Sequence, residues 1–120
     1  MTLVDTNVIL RYLLNDIPAQ ADKASLVIEE GAFTLPEIIA EVVYVLVKLY
    51  EIPREEMKNI ISPIFDEIFI ENSDVMSAAI SYYSETKLDF VDCIILARKK
   101  ILNESVFTFD KKLLNRLKDI

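Results

Sequence analysis

The amino-acid sequence predicts an α/β fold: a short parallel sheet covered by helices on both faces, a three-layer α/β/α sandwich. Three observations carry this. Four short β-rich segments lie near residues 2–4, 33–35, 67–70 and 105–109, and stretches of helical periodicity separate them. Strands joined through helices pair in parallel by crossovers. One glycine and four prolines in 120 residues leave no long flexible linker, while 52% hydrophobic content supplies one core, so a single domain over 1–120 is expected.

The elements follow in order. Thr2–Val4 opens as a strand and Asp5-Thr6-Asn7 follows it. Val8–Leu14 reads as a helix, with Thr6 or Asn7 as its N-cap. After the turn Asn15-Asp16-Ile17-Pro18, Ala19–Glu30 places Ala21, Ala24, Val27 and Ile28 on one side of a helix. Gly31 sits where a C-cap belongs. Phe33–Leu35 is a strand. Pro36 suits a first helical position, and Glu37 then meets the positive end of the helix dipole. Ile38–Tyr50 is a strongly apolar helix, broken by Ile52-Pro53. Arg54–Phe65 forms another helix, and Glu67–Ile70 alternates as a strand. Ser73 caps a helix from 74 to 86, and Asp89–Leu102 is the next. Ser105–Phe109 is a strand that Asp110 ends, and Lys111–Lys118 closes as a helix. In such sheets the ligand site lies at the carboxyl ends of the strands. Asp5 and Asp110, 105 positions apart, therefore belong on one rim.

Two absences prune the chemistry. There is no histidine, which removes Ser-His-Asp and Cys-His machinery and histidine acid–base catalysis. One cysteine without histidine also excludes the usual zinc sites and any intrachain disulfide, and fits a reducing compartment. No run approaches a membrane span and no signal peptide opens the chain, so a cytoplasmic location is expected. What remains is carboxylates, hydroxyls, lysine and arginine. Carboxylates suit hard cations that prefer oxygen, Mg²⁺ or Mn²⁺. The net charge of −7 opposes simple electrostatic binding to nucleic acid. Its distribution softens that: residues 1–90 carry 6 basic and 16 acidic side chains, and residues 91–120 carry 7 and 4. The basic tail reads either as solvated helix faces or as a basic rim beside an acidic pocket.

Among the acids, Asp5 follows a strand, where it is a turn residue or a site residue. Glu41 interrupts the apolar run Ile38–Val47, where a buried carboxylate demands a compensating charge. The i, i+4 spacing also permits one exposed stripe through Glu37, Glu41, Tyr44 and Lys48. Asp89 and Asp92 flank a helix start at i, i+3, so one of them is an N-cap candidate. Asp110 ends a strand or caps the last helix, with Thr108 two residues before it. Cys93 reads as a small buried hydrophobe.

Four blocks carry a resemblance: Leu3-Val4-Asp5-Thr6-Asn7; Leu35-Pro36-Glu37-Ile38-Ile39-Ala40-Glu41-Val42; Leu88-Asp89-Phe90-Val91-Asp92-Cys93-Ile94-Ile95-Leu96-Ala97; and Val106-Phe107-Thr108-Phe109-Asp110-Lys111-Lys112-Leu113. In that order the chain resembles the PIN-domain family, and within it the VapC-type toxin ribonucleases of toxin–antitoxin pairs. The resemblance implies that Asp5, Glu41, Asp92 and Asp110 are the catalytic and metal-holding acids, and that Asn7, Thr108 and Asp89 support them. It also implies an RNA substrate, an antitoxin that lays a helix in an apolar groove, and a homodimer. Cys93 stands where alanine is common in the family. Mg²⁺ would relieve the repulsion among clustered acids and activate water for attack on a phosphodiester.

Other classes fit less well. A receiver-type phosphoacceptor domain needs an acidic pair after the first strand, where Asp5-Thr6 stands. A haloacid-dehalogenase-type phosphatase needs a second acid at position 7, which is asparagine. A catalytically silent PIN-like scaffold would have lost acids that this chain retains.

Overall fold

A computed structural model describes all residues, Met1–Ile120. Strand β1 (Thr2–Leu3) leads into helix α1 (Thr6–Leu14) and helix α2 (Pro18–Glu29), and β2 (Ala32–Phe33) into α3 (Pro36–Lys48). A 3-10 turn at Arg54–Glu56 precedes α4 (Met57–Ile61) and α5 (Ile64–Glu67). Helices α6 (Ser73–Glu85), α7 (Phe90–Leu102) and α8 (Lys111–Leu117) complete the chain. The fold is α/β and dominated by helix.

The sheet is small and parallel. Thr2 pairs with Ala32 and Leu3 with Phe33, and a single parallel bridge joins Phe33 to Phe69 on the other side of β2. The ladder runs Thr2 N to Gly31 O at 3.0 Å, Val4 N to Phe33 O at 2.9 Å, Phe69 N to Ala32 O at 2.9 Å and Thr34 N to Phe69 O at 3.0 Å. Buried Thr34 adds a rivet: its Oγ1 donates to Val4 O at 3.0 Å. The strand expected at 67–70 narrows to the bridge at Phe69, since Glu67 ends α5, while its alternation holds, with Ile68 and Ile70 buried and Phe69 exposed. Gly31 has φ +109°, a backbone that other residues rarely adopt, and it turns the chain from α2 into β2.

Three expectations need correction. The helix expected over 54–65 forms as a 3-10 turn and two short α-helices, and Pro63, which cannot donate into the preceding turn, parts α4 from α5. Asn72, with φ 55°, precedes the helix that Ser73 was expected to cap, and Ser73 is its first residue. Segment 105–109 forms no strand and makes no ladder hydrogen bond to β1. Val106 packs against the core, while Phe107 and Phe109 stay over 80% exposed and pack on each other edge to face at 5.1 Å. β-propensity describes fit to a partner's pleated surface, and no edge meets this segment.

The core is one cluster of 26 buried residues. Its densest part is the α6–α7 pair. Val75, Met76, Ala79, Ile80 and Tyr83 recur at helical spacing on α6, as do Phe90, Cys93, Leu96 and Ala97 on α7. Tyr83 meets Phe90 edge to face at 6.0 Å. Cys93 is fully buried, as a small hydrophobe should be, and burial pushes its thiol up to about 11. One charged side chain holds this pair to the preceding segment. Nη1 of Arg54 donates to the carbonyls of Tyr83, Thr86 and Leu88 at 2.7–3.0 Å, and its guanidinium lies over the Tyr83 ring at 3.9 Å.

Candidate active site

Asp5 is placed by the sheet. Val4 is buried and bonded to β2, so the chain must turn at the next residue. Asp5 keeps extended backbone (φ −96°, ψ −176°), and its Oδ1 accepts from Val8 N at 3.1 Å. Asp5 itself is therefore the N-cap of α1, in place of the expected Thr6 or Asn7. One carboxylate oxygen is tied to the helix and the other is free.

Glu41 lies one turn into α3, which Pro36 opens directly after β2. Of its two readings, the exposed stripe holds and the buried carboxylate does not. A step of 100° per residue puts Ile39, Val42, Val43 and Leu46 in the core and Glu37, Glu41, Tyr44 and Lys48 on one exposed stripe. Exposure does not separate Glu41 from Asp5, because the two acids line one cavity of about 480 Å³ together with Asn7.

Arg11 lines the same cavity, and the sequence reading missed it. Nη1 donates to Asp16 at 3.1 Å and Nη2 to the Tyr50 hydroxyl at 3.0 Å. Its Nε is buried with no partner. A signal was present: Arg11 is the one charge in the apolar run Val8–Leu14. A cation there has to be matched by acids or by a ligand.

The second group forms where α7 and α8 begin. Asp89 has the backbone of an N-cap but makes no side-chain cap bond, so its carboxylate is uncommitted. Asp92 is half-buried in the first turn of α7. Burial pushes its carboxyl above the ordinary range, and the negative charges of Asp110 and then Asp89 push it further. Asp110 Oδ1 accepts from Leu113 N at 3.1 Å and caps α8. Its own N–H donates to Thr108 Oγ1 at 3.0 Å, a local turn that fixes Asp110 without a strand beneath it.

The acids thus gather as two sets, Asp5 with Glu41 and Asp92 with Asp110 and Asp89. No three of them meet in a geometry that closes around a metal ion. The donor chemistry still fits Mg²⁺: every donor is a carboxylate oxygen, and Mg²⁺ is usually held by one or two carboxylates with water completing its shell.

The raised Asp92 carboxyl has a sign that can be measured. The folded protein holds this proton more tightly than the unfolded chain, so ionising Asp92 costs stability as pH rises through and above the ordinary carboxylate range. In metal-free buffer at neutral pH, Asp92→Asn should melt above wild type. The gap should close as pH falls below about 4, where both states are protonated. A variant that melts below wild type at neutral pH contradicts this.

The family model for the PIN domain matches residues 2–119, and the chain belongs to that family. PIN domains are a nuclease-type fold, generally ribonucleases that use a divalent metal; they bind nucleic acid and often pair with antitoxins. No curated protein and no solved structure matches the chain. No helix is long and apolar enough to cross a membrane.

Proposed function

We propose that the chain is a Mg²⁺-dependent endoribonuclease that hydrolyses RNA phosphodiesters with water, and that it is the toxin of a type II toxin–antitoxin pair acting in the cytoplasm. The observation that carries this reading is the cavity shared by Asp5, Glu41, Asn7 and Arg11 at the carboxyl end of β1. Acids alone would repel a phosphodiester. A cavity that joins two acids to a guanidinium suits a metal and a phosphate together.

Asp5, Glu41, Asp92 and Asp110 are the acids that would hold the metal. When bound, Mg²⁺ (or Mn²⁺ in its place) supplies positive charge to the phosphoryl oxygens and makes water a better nucleophile near neutral pH. The chain's residues do the rest. The caps to Val8 and Leu113 fix the Asp5 and Asp110 carboxylates, so neither has to be reoriented. Thr108 fixes Asp110 from behind, Asp89 adds negative potential beside Asp92, and Asn7 offers an amide to substrate or water. Arg11 brings a guanidinium charge to the same cavity, where it favours a phosphate.

The same reading includes a homodimer and the full three-layer sandwich. It also includes an antitoxin helix seated against the apolar segments 8–14, 38–50 and 54–65, where Tyr44, Leu49 and Tyr50 are exposed. The test is incubation of purified protein with a mixed RNA pool. Cleavage should require Mg²⁺ or Mn²⁺, stop on chelation, and fall when the product of a neighbouring reading frame is co-purified. Cleavage that persists in chelator would refute the metal scheme. Binding without cleavage under any divalent metal would make the chain a scaffold.

A further inference from the structure

A second cavity, of about 810 Å³, lies between the 3-10 turn, the end of α6 and α8. Arg54, Lys87, Lys112 and Arg116 line it, against Glu55 and Glu85, for a local charge of +2 in a chain of net −7. Lys112 and Arg116 are exposed and stand one helical turn apart on α8. The only ion pairs in the structure are Arg11 with Asp16 and Arg98 with Glu104, so neither acid in this cavity neutralises a cation. Arg54 spends Nη1 on three carbonyls and keeps Nη2 free.

One further atom points to a ligand. Two buried side-chain polar atoms in the whole molecule lack a hydrogen-bond partner: Arg11 Nε, at the candidate active site, and Ser84 Oγ, in the wall of this second cavity. A buried hydroxyl without a partner is costly, and Ser84 shares the lining of this cavity with cations that no acid pairs. That is the donor set of an anion site. Along the chain, the wall of this cavity runs next to the second acid set. Lys112 follows Asp110 by two residues, and Leu88, in its wall, directly precedes Asp89.

Resting on the nuclease reading above, we infer that this cavity binds the phosphodiester backbone of the RNA strand beside the cleavage site. Lys112 and Arg116 supply the main charges, and Lys87 and Ser84 Oγ lie alongside. An acidic rim cannot draw in a polyanion unaided. A separate cationic seat lets the strand be held by phosphates that are not cleaved, and remote binding of this kind can be spent on positioning the reacting one. Arg54 is structural here, because its carbonyl bonds set the shape of the wall.

The experiment is equilibrium binding of a short fluorescein-labelled single-stranded RNA, in chelator so that nothing is cut, over a range of salt. Lys112→Gln/Arg116→Gln should flatten the log affinity–log salt slope by roughly 1.4, at ~0.7 per lost phosphate contact on a single strand. That corresponds to about 25-fold weaker binding near 0.1 M salt, relative to 1 M. Both side chains are exposed, so the variant should fold, with unchanged melting as the check. Lys99→Gln/Lys100→Gln removes the same charge near the far end of α7 and should leave the slope unchanged.

Equal losses in the two variants would mean diffuse charge and overturn the inference. So would binding of polyglutamate that depends on Lys112 and Arg116 while RNA binding does not, which would assign the cavity to an acidic protein segment. Wild type that cleaves RNA, with a Lys112/Arg116 variant binding as tightly, defeats this inference alone. Wild type that binds no RNA defeats the nuclease reading as well.

Discussion

Asp5→Asn should lower the rate of RNA cleavage by at least ~10²-fold and leave melting almost unchanged. The two halves of this result come from the two oxygens of one side chain. Oδ1 accepts from Val8 N and caps α1, and asparagine caps about as well as aspartate. What the substitution removes is the negative charge on the rim of the cavity shared with Glu41, where a divalent cation would be held. Loss of a metal-supporting group costs on the order of 10–100-fold, and loss of a direct ligand more. Asp5→Ala should lose the same activity and also about 1 kcal/mol of stability with the cap. Asp5→Ser should recover the cap and none of the activity. Steady-state cleavage beside thermal melting for the three variants separates the roles. An Asp5→Asn protein that cleaves RNA as fast as wild type removes Asp5 from the chemistry.

Arg54→Ala should have the largest effect on stability of any surface-reaching side chain, about 2–4 kcal/mol. Three carbonyls at the end of α6 and the approach to α7 would lose a charged donor, and Tyr83 would lose the cation over its ring. Against the ~5–15 kcal/mol that holds a domain of this size, that is a large share. Arg54→Lys should recover part of the loss, since a compact ammonium keeps the charge without the planar fork. Urea unfolding reads the effect as a lower midpoint at unchanged slope. An alanine variant within 0.5 kcal/mol of wild type, where ordinary surface changes fall, would mean that solvent satisfies these carbonyls.

The sequence was informative wherever local chemistry decides structure. The helices follow apolar periodicity closely, and Gly31 and Pro36 mark turning points that backbone sterics alone dictate. It misled where a partner decides. Ser105–Phe109 has strand composition, yet a strand exists only when another edge accepts it. The cap of α1 fell to Asp5 because β2 fixes where β1 must end, and residues 30 positions away set that. Pro63 was visible and should have divided 54–65.

At the site, position and family resemblance mark the acids, but an apolar run around Glu41 does not decide its burial, because a helical wheel leaves room for an exposed stripe. Arg11 and Arg54 were legible only as charges. Their roles depend on Tyr50 and on the carbonyls of residues 83–88, contacts made across 29 or more positions.

The acids at positions 5, 41, 92 and 110 have a consequence for synthesis in the cell. Asp5 leaves the ribosome first, but β1 acquires its parallel partner only after residue 33 is made, and Asp92 meets Asp110 only after 105 further residues have followed Asp5. At ~5–20 residues per second, that is roughly 5–20 s of elongation. A nascent chain stalled anywhere in this interval carries an incomplete acid set. Within this interval Asp5 and Glu41 can already share their cavity, while Asp92 still waits for the charge of Asp110.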